Sequence, residues 1–211
     1  MSRETRAVGA SGGRRWARRL AGLLGVLALG PIASMMWAGP AAAASPVFAP
    51  VPGSPFGDGG DPSAAEFSPS GKLLATVYGG DLVSVFSVGT DGALKQVTGS
   101  PFETSGGLDD PFSVAFSPSG GLLATANETS SVSVLSVGTG GALTPVAGSP
   151  FTTGGVNDPN SVAFGPSGGL LATANYLGNS VSVFSVGAGG ALTAVTDSPF
   201  TTGSSSNPVS V

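Results

Sequence analysis

The chain has 211 residues, 12 acidic against 8 basic, with no cysteine and no histidine. Six of the basic residues fall before position 20, so the rest carries only Lys72 and Lys95 against eleven carboxylates. That balance excludes a nucleic-acid partner, which needs a basic footprint, and docking on anionic lipid. It also excludes a disulfide framework and the histidine- or cysteine-based pairings of nucleophilic catalysis.

Residues 1–44 read as a secretory signal peptide. Arginines run from Arg3 to Arg19, an apolar stretch from Leu20 to Trp37 is broken by Pro31, and Ala42-Ala43-Ala44 precede Ser45. Cleavage after Ala44 and a secreted or extracytoplasmic product are expected, with no membrane association beyond export. The competing reading is an uncleaved anchor, for which the apolar stretch is marginal in length. Arg14-Arg15 and Arg18-Arg19 leave open whether export takes the general or the twin-arginine route.

After the leader the chain is one unit written several times. Ser-Pro-Phe falls at Ser100, Ser149 and Ser198, in steps of 49, and a turn glycine falls at Gly71, Gly120 and Gly168, in steps of 49 and 48. The single-residue difference sits between Phe102 and Pro111. Each unit predicts four short strands with no helical period, in the second unit at Phe112–Phe116, Leu122–Ala126, Val132–Val137 and near Leu143–Val146. Ser117-Pro118-Ser119-Gly120 is the turn between the first two. Pro145 places the fourth strand on a sheet edge, since proline cannot donate to an inner ladder.

In the third strand Val132 and Val134 point to one side, Leu135 and Val137 to the other. This predicts a sheet covered on both faces, with a β-bulge between Val134 and Leu135 as the competing account. Four-stranded antiparallel units stacked face to face are the sequence form of an all-β β-propeller. The expected division is a lone fourth strand over 45–60, complete blades over 61–109, 110–158 and 159–207, and the start of another at 208–211. A propeller closes with roughly four to eight blades. Three complete ones lead to the expectation of a fragment of a longer propeller, or of self-association through open blade faces.

Ser113-Val114-Ala115-Phe116-Ser117-Pro118-Ser119-Gly120, Leu123-Ala124-Thr125-Ala126-Asn127, Val132-Ser133-Val134-Leu135-Ser136-Val137 and Gly141-Ala142-Leu143-Thr144, with their counterparts, resemble the YVTN-repeat and lactonase-like β-propellers. That usually seven-bladed family includes propeller-type 6-phosphogluconolactonases. The resemblance covers almost all of the chain after the leader and departs from the family pattern at Ser70, Ser119 and Ser167, where an aspartate is usual. It implies the fold. The arginine and histidine that it implies for a lactonase site have no counterpart here, because no arginine follows Arg19.

Two sets of side chains are candidates for chemistry. Glu66 takes the place of Ala115 and Ala163 on a first strand and could act as a channel-facing base; the simpler account is an ion pair with Lys72 across the tight turn. Asp61, Asp110, Asp158 and Asn207 each precede the proline opening a unit, on the same face as Asn127 and Asn175. They could ring a hard cation or a sugar, or serve as side-chain-capped turns repeated with the blade. Asn127-Glu128-Thr129 matches a glycosylation acceptor. Gly79-Gly80, Gly106-Gly107 and Gly154-Gly155 lack the strand-then-helix context of a phosphate cradle. No cofactor or metal is called for. The expectation is an exported binding or interaction module for a protein, carbohydrate or small molecule, the alternative being part of a hydrolase that opens a sugar or other lactone.

Overall fold

In the computed structural model the described residues are 50–57, 60–104, 110–155 and 157–211. The leader, its cleavage point and residues 105–109 of the variable-length loop lie outside them.

The described chain forms three antiparallel sheets in sequence order. The first blade holds β1 (Pro62–Phe67), β2 (Leu73–Tyr78), β3 (Leu82–Val88), β4 (Leu94–Gln96) and β5 (Phe102–Glu103). The second holds β6 (Pro111–Phe116), β7 (Leu122–Asn127), β8 (Ser131–Val137), β9 (Leu143–Pro145) and β10 (Phe151–Thr152). The third holds β11 (Pro159–Phe164), β12 (Leu170–Asn175), β13 (Ser180–Val186), β14 (Leu192–Ala194) and β15 (Phe200–Thr201). The predicted strands stand within a residue or two.

The fourth strand is more elaborate than its sequence indicates. In the second blade β9 and β10 both pair with β8, so one outer strand is interrupted at Val146–Pro150. Within the interruption the Val146 N–H still donates to the Val134 carbonyl at 3.0 Å, and the chain then loops away. Ser149 restores the missing rung: its Oγ accepts the Val134 N–H at 2.9 Å. Ser100 does the same for Val85 and Ser198 for Val183, each at 2.9 Å. The Ser-Pro-Phe mark therefore recurs because a side-chain oxygen must satisfy a backbone donor that the bulged strand has abandoned. The residue before it takes a left-handed conformation, glycine at Gly99 (φ +89) and Gly148 (φ +87) and an aspartate at Asp197 (φ 67).

No bulge separates Val134 from Leu135, which pair in unbroken register with Ala124 and Leu123. The register shifts lie instead at the start of the first strands, between Pro62 and Ala64, Pro111 and Ser113, and Pro159 and Ser161. Both faces of the middle sheet are accordingly apolar and covered. On one side Val114, Phe116, Leu123, Leu135 and Leu143 pack against Ala75, Val77, Val83 and Val85 of the first blade. On the other, Ala124, Ala126, Val132 and Val134 pack against Val162, Leu171, Phe184 and Leu192 of the third. Each blade thus presents a small Ala/Val face to the blade after it, its trailing face, and a bulky Leu/Phe face to the blade before it, its leading face. Each fully buried Leu or Val contributes about 1.5–3 kcal/mol.

The outermost faces lack this cover. Phe67 is 57% exposed where its equivalent Phe116 is 5% exposed, and Leu170 is 48% exposed. Residues 50–57 repeat the Gly-Ser-Pro-Phe turn, with the Ser54 N–H donating to the Val51 carbonyl at 3.1 Å and the Phe56 ring 3.1 Å from a Cβ on Gly53. They belong to no strand. The segment expected as a lone fourth strand keeps that strand's turn without its ladder, since no third strand of an earlier blade lies beside it among the described residues.

Candidate functional site

The sheets converge at their first strands: β1 lies against β6, and β6 against β11. Each first strand uses one edge for its own blade and turns the other toward the next blade's first strand. Serine hydroxyls bridge these edges. Ser113 Oγ accepts the Val162 N–H at 3.2 Å, and Ser161 Oγ accepts the Val211 N–H at 3.3 Å. In the first blade Ala64 stands at that serine's place and has no hydroxyl to offer. Glu66, two residues on, crosses the same junction at another point, its Oε2 receiving the Phe116 N–H at 2.9 Å, whereas the counterpart of Val162 in the second blade is Val114.

This corrects the expected pairing of Glu66 with Lys72. The lysine sits exposed on the turn, while the carboxylate is directed into the junction between blades. Burial there pushes the Glu66 carboxyl above its ordinary value of 4.5, and the Phe116 N–H draws it part of the way back. A raised acid favours its protonated form in the fold, so its contribution to stability is complete below the ordinary value and is lost as pH rises through the raised one. Glu66→Gln keeps an acceptor for Phe116 and has nothing to titrate. Its unfolding midpoint should gain on the wild type as the solution is taken from acid to neutral, whereas Glu66→Ala should cost about 1–2 kcal/mol at every pH by orphaning the Phe116 N–H. Parallel pH–urea titrations of the three proteins check this; equal slopes for wild type and Glu66→Gln would refute it.

The residues that open each unit bind backbone. Asp110 Oδ1 accepts the Gly80 N–H at 2.6 Å, tying the second blade's opening to the β2–β3 hairpin of the first. The Asp158 carbonyl accepts the Tyr176 N–H at 2.9 Å, and its own N–H reaches Ser130 Oγ at 3.4 Å in the hairpin of the second blade. The Asn207 N–H donates to Asn179 Oδ1 at 3.0 Å, and its Nδ2 to the Tyr176 carbonyl at 3.2 Å. Asp61 is exposed. Asp110 and Asn207 therefore act through their side chains as turn caps, whereas Asp158 is held by its backbone and its buried Oδ1 has no hydrogen-bond partner; among the described residues no three His, Cys, Asp or Glu side chains come together. Gly80, whose N–H Asp110 takes, is equally unavailable to a phosphate.

Asn127 and Asn175 stand at that end of the blades, level with Pro111 and Pro159, but their side chains turn inward. Both are fully buried at the ends of β7 and β12. Asn127 Oδ1 accepts Thr125 Oγ1 at 2.8 Å, and its Nδ2 donates to Ser131 Oγ at 3.0 Å and Ser133 Oγ at 2.8 Å. Asn175 repeats the arrangement with Thr173, Ser180 and Ser182. An amide with every hydrogen committed inside a sheet is not a glycan acceptor. In the first blade Tyr78 takes this place, its hydroxyl 3.2 Å from Ser84 Oγ. Sequence reasoning also missed Asn157, buried in the loop before the third blade with its Nδ2 donating to the Thr153 carbonyl at 3.0 Å and to that of Gly154. No unit-to-unit repetition marks it.

A cleft of about 750 Å³ lies on the first blade's leading face, between the 54–57 segment and Leu74, Thr76, Phe86 and Leu94. It occupies the space that the Ala/Val face of an earlier blade would fill.

Comparison with known proteins is consistent with this architecture. A family model described as "Lactonase, 7-bladed beta-propeller" matches residues 100–210, more than half of the chain. A comparison with curated proteins gave no match. Among solved structures, a candidate 6-phosphogluconolactonase from Bacteroides fragilis superposes with a TM-score of 0.62 at 24% identity, over 71% of this chain and 40% of its own. One from Bacteroides uniformis gives 0.60 at 23%, over 70% and 42%. The periplasmic gluconolactonase PpgL of Pseudomonas aeruginosa gives 0.59 at 21%, over 71% and 41%. At these identities the likeness is one of fold, and the chain spans about two fifths of the length of the proteins that it matches.

Proposed function

The chain belongs to the seven-bladed β-propeller lactonase family, and from that premise we propose that it is an extracytoplasmic binding or interaction module whose own blades carry no catalytic set. One observation carries this reading. Glu66 is the only ionisable residue on the three first strands, and its carboxylate is engaged in holding the neighbouring blade. The remaining residues of these strands are proline, serine, alanine, valine, asparagine and phenylalanine, which position a ligand and do not move protons at neutral pH. The arginine-rich leader and the periplasmic location of the Pseudomonas protein support export.

Lactone opening is the alternative, favoured by the family match over residues 100–210. The full chain assayed with gluconolactone and 6-phosphogluconolactone separates the two. No turnover above the buffer rate is expected, with the same result for Glu66→Gln. Turnover that Glu66→Gln abolishes would overturn the module reading and assign the base.

A further inference from the structure

An Asp-Pro bond opens each of the three blades, at Asp61-Pro62, Asp110-Pro111 and Asp158-Pro159. The fold treats their carboxylates differently. Asp61 is exposed, and Asp110 Oδ1 is committed to the Gly80 N–H at 2.6 Å. Asp158 Oδ1 is buried and no donor reaches it. The backbone of Asp158 is also held in the left-handed region, at φ 46, where a residue with a Cβ is disfavoured and the ring of a following proline adds a second restriction. Two hydrogen bonds keep it there. The Asp158 N–H donates to Ser130 Oγ at 3.4 Å, and its carbonyl accepts the Tyr176 N–H at 2.9 Å.

We infer that the Asp158-Pro159 bond is a self-cleavage site, opened in mild acid by the Asp158 carboxyl in preference to the other two Asp-Pro bonds. Oδ1 of the protonated carboxyl bonds to the carbonyl carbon of the same residue and closes a five-membered ring, so the reaction needs no second side chain. The carboxyl proton passes to the Pro159 nitrogen, the C–N bond breaks with its electron pair on nitrogen, and proline leaves as a secondary amine. Water then opens the cyclic anhydride and restores an aspartate, now the end of the first piece. The Tyr176 N–H points at the carbonyl oxygen on which negative charge develops during attack. Asp110 has the same aid, its carbonyl accepting the Glu128 N–H at 3.0 Å, so what separates the two bonds is the carboxylate. The Asp110 oxygen must give up a hydrogen bond before it attacks, the Asp61 carboxyl must shed water, and the Asp158 oxygen has nothing to surrender. Cleavage also releases the left-handed backbone that Ser130 and Tyr176 hold in place. Glu128 and Tyr176 are the ionisable residues of the two hairpin turns bonded to Asp158, and both are exposed. The cut falls between whole blades. The cluster joining Ala124 and Val134 to Val162, Leu171 and Phe184 spans it, so the nicked chain stays docked.

Intact-mass measurement and N-terminal sequencing of the full chain held at about pH 4, where carboxyl groups are partly protonated, test the inference. The new N-terminus should be Pro159, forming several-fold faster than Pro111 or Pro62. In concentrated urea at the same pH the preference should disappear, because the three bonds then share one environment. Asp158→Asn should abolish the Pro159 terminus and leave the slower cuts unchanged; asparagine suits the backbone there, since Asn207 holds the same place in the next repeat at φ 43. Asp110→Asn should leave the Pro159 cut as it is. A folded chain that yields the three termini in the proportions found in urea, one that cuts first at Pro111 or Pro62, or an Asp158→Asn chain that still releases Pro159 at the wild-type rate would each overturn the inference.

Discussion

Leu135→Ala should lower the unfolding free energy by about 2–5 kcal/mol, while Leu170→Ala, which deletes the same atoms, should shift it by less than about 0.5 kcal/mol in dilute protein. Leu135 is wholly inaccessible and lies in the cluster joining the first and second blades. Its removal forfeits the transfer of a buried side chain and leaves a void, since β8 is pinned on both sides by β7 and by the outer segments β9 and β10 and cannot collapse inward. Leu170 reaches solvent on a face without a neighbour. Urea midpoints of the two variants decide the matter, and equal shifts would mean that the faces are not covered as described.

Asn127→Leu should cost about 3 kcal/mol although it keeps the branched side-chain skeleton. The amide serves three hydroxyls, those of Thr125, Ser131 and Ser133, all buried in the second blade. A leucine returns none of these bonds, and each unsatisfied buried polar group costs about 1–3 kcal/mol, reduced where a hydroxyl rotates to a new partner. Combining Asn127→Leu with Ser133→Ala should cost less than the sum of the two single changes, because the second removes a group that the first has orphaned. Strict additivity would show that the network is not one unit.

The strands were legible because their boundaries are written in residues with few alternatives. Ser117-Pro118-Ser119-Gly120 is a turn in any context, and its recurrence sets the period. What could not be read was the break in the fourth strand: Ser149 has the appearance of a loop serine, and its use as a hydrogen-bond acceptor for Val134, 15 residues earlier, leaves no local trace. Asn127 misled for a related reason. It stands next to a turn, but β7 runs one residue further than its apolar pattern, and that residue turns the amide inward.

The candidate site was less legible still. Glu66 and Lys72 are close in sequence, which made a local pair the economical reading, yet the partner of Glu66 lies 50 residues away in the next blade. Substitution of one unit relative to its neighbours singled the residue out. It could not say whether the departure serves a ligand or braces the neighbouring blade. The aspartates opening each unit recur because the blade recurs, yet their carboxylates differ: Asp110 Oδ1 accepts the Gly80 N–H, while the buried Oδ1 of Asp158 has no hydrogen-bond partner.

The serine rungs also bear on what happens at the rim. The outer strand of a blade is the edge at which a sheet would accept a stray chain and grow into an aggregate. Here that edge is offered in two pieces, three residues and two residues long in the second blade, separated by a loop and holding Pro145 at the end of the first piece. An incoming strand would find no stretch of regularly spaced donors and acceptors long enough to register against, while the strand behind the gap keeps its bonds through Ser149. The sheet is complete from within and unreadable as a template from without, which guards a chain rich in valine, alanine and serine strands against amyloid-like growth during folding.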